Sequence, residues 1–345
     1  MDHLQNKSTI IIAEAGVNHN GSIENAKKLV DVAVKAGADY VKFQTFKAKN
    51  LVSKLAIKAD YQKINLKDGV DTQYEMLKKL ELSDQNHKEL IEYCSRKKIR
   101  FFSTAFDVEG LKYLNSLNFD FFKIPSGEIT NYQYLKTIAS FNKPVILSTG
   151  MSTIQEIEDA LKIIKLYKIE NHQIVILHCN TEYPTPYEDV NLNAMLSMKN
   201  KFGVNVGYSD HTLGIEVPIA AVAMGAKVIE KHFTLDRNMY GPDHAASLEP
   251  SELIEMVKSI RNTELALSGN GIKLPSKSEI KNKSIARKSI HIANKVFKGG
   301  LIDEKHFISL RPGDGISPMR IPQIIGKKFS RDLNQYDKLE LSDFE

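Results

Sequence analysis

The feature that most constrains the fold is a unit of sequence that recurs along the first three quarters of the chain. Each unit starts with a short apolar run, continues with a polar cluster and ends in a helix-like stretch. Apolar runs that alternate with helical patterns are typical of a parallel sheet. About eight repetitions predict an α/β fold, a closed (β/α)8 barrel with catalytic groups at the carboxyl ends of its strands. The runs are TIIIAEAG, YVKFQTF, IRFFSTAF, FDFFKIPSGE, KPVILSTG, HQIVILHCN, VNVGYSDH and AKVIEKHF.

The stretches between the runs have the periodicity of amphipathic helices. Residues 22–37 and 153–167 carry apolar side chains at spacings of three and four, which place these side chains on one helix face. Gly37 closes the first stretch, as expected at the end of a helix. These segments complete the alternation of strand and helix that a barrel requires.

Polar side chains with unusual chemistry lie within or just after the ends of the runs. A single polar residue at such a place is more often a turn or helix cap. Many of them together indicate one cavity, because the rim of a barrel gathers its strand ends. The members of this set are Glu14, Lys42, Gln44, Lys123, Glu128, His178, His211 and His232.

The composition argues against several classes of function. The 47 basic and 42 acidic residues leave a formal charge of +5, which is too small and too scattered to indicate nucleic acid as the main partner. Cys94 and Cys179 are the only cysteines and lie far apart in the sequence, which disfavours a disulfide framework or a thiolate metal site. No run has the length of a signal peptide core or a membrane span. We therefore expect a soluble, cytoplasmic protein that acts on neither nucleic acid nor a membrane.

The alternating pattern stops near residue 268, which predicts a second module. Residues 268–285 are rich in Gly, Ser and Lys and are expected to form a linker. Residues 286–345 carry short apolar runs and turn signals. Residues 1–267 would then form the catalytic barrel, and so small a second module is expected to lean on a barrel for stability.

Two histidines lie at the ends of the seventh and eighth runs, which are neighbours in a closed barrel. His211 in GYSDHTLG and His232 in IEKHFTLD would then converge on one divalent ion. Two imidazoles completed by oxygens from substrate and water suit Mn²⁺ best, with Mg²⁺, Co²⁺ and Zn²⁺ as alternatives. Spacing alone leaves a second interpretation equally open, in which each histidine only hydrogen-bonds within the rim.

Lysines and hydroxyl groups at the ends of the runs predict an anionic ligand. Lys42 and Lys123 lie inside apolar runs, where an ammonium group is poorly solvated unless an anion accompanies it. Ser126, Ser148 and Ser209 add hydroxyl groups for a phosphate or a carboxylate. No Gly-rich Walker or dinucleotide loop is present in the sequence, which disfavours an NTP or NAD enzyme. The acids beside these bases, which suit proton transfer, are Glu14, Glu128 and Asp243.

Nine long motifs follow one another in a fixed order over nearly the whole chain. They are AEAGVNHNG (13–21), VKFQTFKA (41–48), KIPSGE (123–128), ILSTGM (146–151), HCNTEYPTPYEDVNL (178–192), GYSDHT (207–212), EKHFTLD (230–236), GPDH (241–244) and LRPGDGIS (310–317). Together they resemble the N-acetylneuraminate synthase family, including its legionaminate and pseudaminate branches. The resemblance implies a TIM barrel followed by a small antifreeze-like domain (SAF, a β-clip fold). It also implies a homodimer in which this domain is swapped and caps the barrel of the partner subunit.

The resemblance also implies roles for the residues at matching positions. His211 and His232 resemble the metal ligands of the family, and Glu14 and Glu128 are the expected catalytic residues. Arg311 resembles the arginine that reaches the acylamino group of the sugar from the neighbouring subunit. Positions that resemble contacts to phosphoenolpyruvate are Lys42, Thr104, Lys123, Ser126, Ser148 and Ser209. Positions around the sugar and the reacting centre are Glu14, Gln44, Glu128, Tyr183 and Asp243.

Three positions depart from common variants of the family. Ala105 stands where a proline is frequent, and Pro125 stands where a glycine is frequent. Thr181 replaces an asparagine that faces phosphoenolpyruvate in some members. Thr181 is still counted among the expected substrate contacts.

The implied reaction joins C3 of phosphoenolpyruvate to the aldehyde carbon of an open-chain N-acylated mannose-type sugar, with release of phosphate. Its main expected form is an N-acetylneuraminate synthase that uses N-acetylmannosamine. The alternative within this chemistry is a legionaminate synthase that uses 2,4-diacetamido-2,4,6-trideoxymannose. A catalytically silent sugar-binding or ice-binding protein is the alternative outside it, and the presence of His211, His232, Lys123 and Glu14 argues against that alternative.

Overall fold

The computed structural model describes residues 8–66 and 72–345. These residues divide into two compact units, with the boundary between Ser268 and Gly269. The first unit holds the alternating strands and helices, and the second contains a short antiparallel sheet. None of the described helices is long and apolar enough to cross a membrane.

Each of the eight predicted runs forms a strand of one sheet. The strands are β1 (Ile10–Gly16), β2 (Tyr40–Thr45), β3 (Arg100–Ala105), β4 (Phe122–Ile124), β5 (Val145–Ser148), β6 (Ile174–His178), β7 (Asn205–Asp210) and β8 (Val228–His232). They pair in parallel in the order β3, β2, β1, β8, β7, β6, β5, β4. Because β3 and β4, at the two ends of this order, also contact each other, the sheet closes almost completely. The predicted (β/α)8 barrel is confirmed.

Helices follow or connect the strands of the first unit. They are α1 (Ile23–Ala36), α2 (Ala48–Leu51), α3 (Asp60–Leu66), α4 (Gln73–Lys79), α5 (Asp84–Lys97), α6 (Val108–Ser116), α7 (Tyr132–Ser140), α8 (Ile154–Lys165), α9 (Asn193–Phe202), α10 (Glu216–Ala223) and α11 (Pro250–Ala266). The first predicted helix begins after Ser22, whose side chain accepts a hydrogen bond from the backbone N–H of Asn25. It ends at Gly37, whose φ of 78° is left-handed, a conformation that costs glycine least.

The interior of the barrel has an apolar layer below a polar layer. Successive residues of a strand point to opposite faces, so residues two apart share a face. Apolar side chains inside the barrel form one cluster. In seven strands, the residue two positions after a member of this cluster lines a cavity at the carboxyl ends of the strands. These pairs are Ile12 and Glu14, Tyr40 and Lys42, Phe102 and Thr104, Phe121 and Lys123, Ile146 and Ser148, Leu177 and Cys179, and Val228 and Glu230.

The connection from β2 to β3 is the longest between consecutive strands and carries α2, α3, α4 and α5. Apolar side chains of this connection form a cluster of their own with Val17, which follows the buried core of β1. Met76, Leu77 and Leu80 belong to this cluster and also line the cavity. One side of the cavity is therefore apolar.

The second unit contains α12 (Lys277–Ala286), β9 (Ser289–Ile292), β10 (Phe307–Leu310) and α13 (Ile321–Ile324). β9 and β10 pair antiparallel, and Ile290, Ile292, Phe329 and Leu333 are central to a separate apolar core. The segment 268–285 was expected to be a linker, but its residues from Lys277 onward are helical. The reason is a capping box, in which Ser276 and Glu279 satisfy each other's backbone N–H groups.

Candidate active site

A cavity of about 480 Å³ opens at the carboxyl ends of the barrel strands. With the exception of His178, it gathers the site residues expected in the first unit from strands that are far apart in the sequence. Those that line it are Glu14, Lys42, Gln44, Thr104, Lys123, Ser126, Glu128, Ser148, Thr181, Tyr183, Ser209, His211, His232 and Asp243. A cavity of this size and position is where a barrel enzyme is expected to bind its substrates.

Four buried charged side chains form the floor of the cavity, and we call Glu14, Lys42, Lys123 and Glu230 the ionic floor. The Lys42 ammonium lies 3.1 Å from a carboxylate oxygen of Glu14 and 3.1 Å from one of Glu230. The Lys123 ammonium lies 3.1 Å from the other oxygen of Glu230. Each of the four residues is at least nine-tenths buried, so water screens these ion pairs weakly.

Mutual pairing sets the protonation of the ionic floor. Burial alone would raise the pKa of Glu230, but the Lys123 and Lys42 ammonium groups outweigh it and hold that pKa well below its ordinary value. Burial, with a contribution from the Glu230 carboxylate, raises the pKa of Glu14 to about 7, although Lys42 opposes this shift. Burial also lowers the pKa of Lys123. Glu230 therefore stays ionised, whereas Glu14 is suited to gain or lose a proton near neutral pH.

Hydroxyl groups surround the ionic floor. The Lys42 ammonium donates to the hydroxyl of Thr104 at 3.0 Å, and Ser209 donates to Glu230 Oε1 at 2.8 Å. The backbone N–H of Gly150 donates to Ser126 Oγ at 3.0 Å. The buried hydroxyl of Ser148 has no hydrogen-bond partner within the described part of the chain, so it is available to a ligand.

His211 and His232 lie side by side at the ends of β7 and β8, with their ring centroids 5.3 Å apart. Burial lowers the pKa of His211 to about 4 and the pKa of His232 well below its ordinary value. Both imidazoles are therefore neutral at pH 7. The ring of Tyr183 lies 4.1 Å from that of His211, and a carboxylate oxygen of Asp243 lies 4.0 Å from His232 Nδ1. Burial raises the pKa of Asp243 to about 6.

The histidine pair fits the divalent ion that the sequence predicts. His211 Nδ1 donates to the carbonyl of Asn180 at 2.5 Å, which leaves the lone pair on Nε2 for a metal. His232 Nδ1 is buried and has no hydrogen-bond partner among the residues described. No third His, Cys, Asp or Glu of residues 8–66 and 72–345 joins the pair in a metal-binding group. Oxygens of water and substrate could complete the coordination, and such a donor set suits Mn²⁺ or Mg²⁺.

Glu128, Thr181 and Gln44 also line the cavity. Glu128 lies in a short 3-10 helix after β4, accepts a hydrogen bond from the side chain of Asn131 at 2.7 Å, and has a pKa that burial raises. Thr181 packs against Gly150 so closely that a Cβ at Gly150 would lie 2.6 Å from Thr181 Cγ2. Glycine at position 150 is therefore needed for this packing.

The comparisons with known proteins agree with this geometry. The sequence profile of the NeuB family matches residues 29–273, which include most of the cavity residues. The chain belongs to the NeuB family. The predicted family and the prediction of a condensing transferase are confirmed.

Three relatives give a measure of similarity within the NeuB family. The chain is 53% identical to the N,N'-diacetyllegionaminic acid synthase of Campylobacter jejuni, over 93% of this chain and 96% of the relative. It is 49% identical to the synthase of the same name from Legionella pneumophila, over 94% and 91% of the two chains. The solved N-acetylneuraminic acid synthetase of Leptospira borgpetersenii, in complex with citrate, is 35% identical, with a TM-score of 0.69, and the match covers 80% of this chain and 90% of that chain.

Arg311 is the one expected site residue that lies in the second unit. It is exposed, and its Nε donates a hydrogen bond to the carbonyl of Ala286 at 3.0 Å. Its role in a site of this NeuB protein stays a prediction.

The expectation that His178 faces the cavity is wrong. Its Nε2 hydrogen-bonds to the carbonyl of Val190 at 2.8 Å, and its ring lies 5.6 Å from that of Tyr208. The alternation of side chains along β6 explains this position, because Leu177 and Cys179 point into the barrel and His178 between them points out.

Sequence reasoning missed Glu230 and the apolar side of the cavity. The signal for Glu230 was available, because it precedes His232 by two residues in a strand and must share its face. The apolar residues carried no such signal, because leucines on a short amphipathic helix look the same whether they face a core or a ligand.

Proposed function

We propose that this NeuB protein condenses phosphoenolpyruvate with 2,4-diacetamido-2,4,6-trideoxymannose and releases N,N'-diacetyllegionaminic acid and phosphate. The observation that carries this proposal is the greater identity to the two legionaminic acid synthases than to the neuraminic acid synthetase. It favours the legionaminate alternative over N-acetylmannosamine as the sugar. The apolar side of the cavity gives independent support, because this sugar carries fewer hydroxyl groups.

The ionic floor and its hydroxyl groups are suited to hold phosphoenolpyruvate. Lys42 and Lys123 offer two ammonium groups, and Ser148 offers a hydroxyl without a protein partner among the residues described. Glu230 shares one carboxylate between both lysines, so the ionic floor has a net positive charge when Glu14, the second partner of Lys42, is protonated. A phosphate and a carboxylate would take up the remaining charge, and charge-assisted hydrogen bonds of this kind are strong. Holding the anion next to the sugar converts a bimolecular reaction into one within a complex.

His211 and His232 would hold the divalent ion, which supplies a Lewis acid for the aldehyde oxygen of the sugar. Their low pKa values keep both imidazoles unprotonated and able to act as ligands. The Asn180 carbonyl fixes the orientation and the tautomer of His211. Tyr183 packs on the same ring and limits its rotation.

The atoms of the proposed reaction balance with water as the only further reactant, and the two protons of this water end on the aldehyde oxygen and on the released phosphate. The C2–C3 π electrons of phosphoenolpyruvate form the bond from C3 to the aldehyde carbon, and the aldehyde oxygen takes a proton. Water adds to C2, and the bond from C2 to the phosphate oxygen then breaks, so that phosphate leaves and C2 becomes a carbonyl. Glu14 is the proposed proton carrier, because its raised pKa allows both protonation states near pH 7. Glu128, with its raised pKa, is the second candidate for handling the water.

We also propose that the second unit is an SAF domain and that the active form is a swapped homodimer in the cytoplasm. Large apolar side chains are exposed in the segments that follow barrel strands β4 to β8, which supports a cover over the mouth. They are Tyr132, Met151, Tyr187, Leu213 and Tyr240. Cys94 and Cys179 are free thiols, in keeping with a reducing compartment.

Turnover of the two sugars side by side tests the proposed function. Phosphate release from phosphoenolpyruvate is measured with 2,4-diacetamido-2,4,6-trideoxymannose and with N-acetylmannosamine, with added Mn²⁺. A higher kcat/KM for the diacetamido sugar is the expected result. Equal values, or a higher value for N-acetylmannosamine, would overturn the proposal in favour of a neuraminate synthase.

A further inference from the structure

Helix α4 contributes one continuous surface to the cavity. We call Gln73, Met76, Leu77 and Leu80 the α4 wall, where Leu80 is the residue that follows the helix. The three apolar members are nearly fully buried and pack in one cluster with Val17. The wall is therefore a fixed part of the cavity lining and not a surface patch.

The spacing of the wall residues places an amide beside apolar groups. Gln73 and Leu77 are four positions apart, as are Met76 and Leu80, so each pair shares a helix face. An acetamido group has the same two parts, a hydrogen-bonding amide and a methyl group. The wall matches an acetamido group in chemistry, whereas a plain hydroxyl would meet mainly carbon and sulfur atoms there.

The position of the reacting groups determines which end of the sugar can contact the α4 wall. The aldehyde end of the sugar must lie near His211, His232 and the ionic floor, where carbon–carbon bond formation takes place. The far end, from C4 to C6, must then extend toward the remaining walls of the cavity. The two candidate sugars differ at this end. N-acetylmannosamine carries hydroxyl groups at C4 and C6, while the diacetamido sugar carries an acetamido group at C4 and a methyl group at C6.

We infer that the α4 wall determines sugar specificity, by receiving the C4 acetamido group and the C6 methyl group and by rejecting hydroxyl groups at these positions. This inference rests on the proposed function. A buried hydroxyl without a partner loses its hydrogen bonds to water. Discrimination of this kind is worth about 10-fold to 200-fold in kcat/KM.

Leu77→Asn is the variant that tests the inference, because asparagine has nearly the shape of leucine but is polar. The quantity measured is the ratio of kcat/KM for the diacetamido sugar to kcat/KM for N-acetylmannosamine. We expect this ratio to fall about tenfold or more in Leu77→Asn and to be largely retained in Leu77→Met, which stays apolar. Lys78→Asn, at an exposed position of the same helix that does not line the cavity, should leave activity and the ratio unchanged. The KM for phosphoenolpyruvate serves as a check that the barrel is intact.

Met76→Gln provides the same test by a second route, since glutamine is close to methionine in length, and it replaces Leu77→Asn if that variant does not fold. A wild-type enzyme that prefers the diacetamido sugar, together with an unchanged ratio in the folded polar variants, would overturn the role of the α4 wall and leave the proposed function standing. A wild-type enzyme without that preference would overturn the proposed function and, with it, the inference. If the wild-type enzyme prefers the diacetamido sugar and the ratio of kcat/KM values falls in the polar variants but not in Leu77→Met or Lys78→Asn, the result supports both the proposed function and the role of the α4 wall.

Discussion

The carboxylate of Glu230 lies 3.1 Å from the ammonium group of Lys42, and its second oxygen lies 3.1 Å from that of Lys123. One buried anion therefore holds two cations at the bottom of the cavity. Without it, the two ammonium groups would repel each other in surroundings that screen charge weakly. Glu230 thus keeps both lysines charged and in place before a substrate arrives.

Replacing Glu230 with glutamine should destabilise the protein by roughly 3 to 5 kcal/mol, the cost of leaving a buried charge without its partner. Phosphoenolpyruvate should restore part of this loss, because its negative charges take over the role of the carboxylate. Urea unfolding of Glu230→Gln with and without phosphoenolpyruvate measures both effects. Glu158→Gln is the control, since Glu158 makes only partly exposed ion pairs with Lys162 and Lys201, which are worth about 1 kcal/mol at most. Equal losses in the two variants would contradict the role of Glu230.

Lys123→Ala should raise the KM for phosphoenolpyruvate much more than the KM for the sugar. A charged hydrogen bond to the anion is worth roughly 1.5 to 3 kcal/mol, which corresponds to about a tenfold to hundredfold loss. Steady-state phosphate release with each substrate varied in turn separates the two constants. Lys199→Ala, at an exposed position of α9, is the matched control. A raised KM for the sugar with an unchanged KM for phosphoenolpyruvate would assign Lys123 to the other substrate.

His211→Ala and His232→Ala should each abolish phosphate release while the barrel stays folded, and EDTA should do the same reversibly. The reason is that two neutral imidazoles are the protein ligands expected for the ion. Circular dichroism checks the fold, and metal analysis of the dialysed variants checks the loss of the ion directly. Full activity in metal-stripped buffer would remove the Lewis acid from the mechanism.

The barrel and most of the cavity residues could be predicted from the sequence because their signals are local. An apolar run indicates a strand, and a lysine or histidine at the end of the run indicates a position at the rim of the barrel. The position of Glu230, two residues before His232, placed it on the cavity face, but its pairing with Lys42 and Lys123 could not be predicted because these lysines are far away in the sequence. The α4 wall was missed because the path of the connection from β2 to β3, and not its composition, brings Leu77 to the cavity.

His19 and His244 should make the protein less stable as the pH falls from about 6.5 toward 4, because both are buried and resist protonation. Burial lowers the pKa of His19 and of His244 to about 4, while a histidine in an unfolded chain has a pKa near 6.5. Above pH 6.5 neither the folded nor the unfolded state binds these protons, so the contribution of the two histidines to stability is fully present. Between 6.5 and 4 only the unfolded state binds them, which costs about 1.4 kcal/mol per pH unit for each histidine. Below pH 4 both states are protonated and the loss from these residues stops.

Urea unfolding at several pH values from 7 to 4.5 measures this slope. His244→Asn should make the slope shallower, because the proton that His244 takes up on unfolding no longer contributes. His172→Gln, which changes an exposed histidine, should leave the slope as it is. A slope in His244→Asn identical to that of the wild type would show that the proton uptake occurs elsewhere.

The last prediction concerns assembly, and it uses two variants that are each expected to be inactive. Arg311→Ala removes the exposed guanidinium group of the second unit, and His211→Ala removes a metal ligand of the barrel. If the second unit of one subunit completes the barrel site of its partner, a mixed dimer contains one site that lacks both groups and one that has both. Co-expression with two different affinity tags, followed by purification on both, isolates this mixed dimer. It should regain up to about half of the wild-type activity per dimer, because one of its two sites is intact. A dimer that carries both tags but stays inactive would mean that Arg311 serves the barrel of its own subunit.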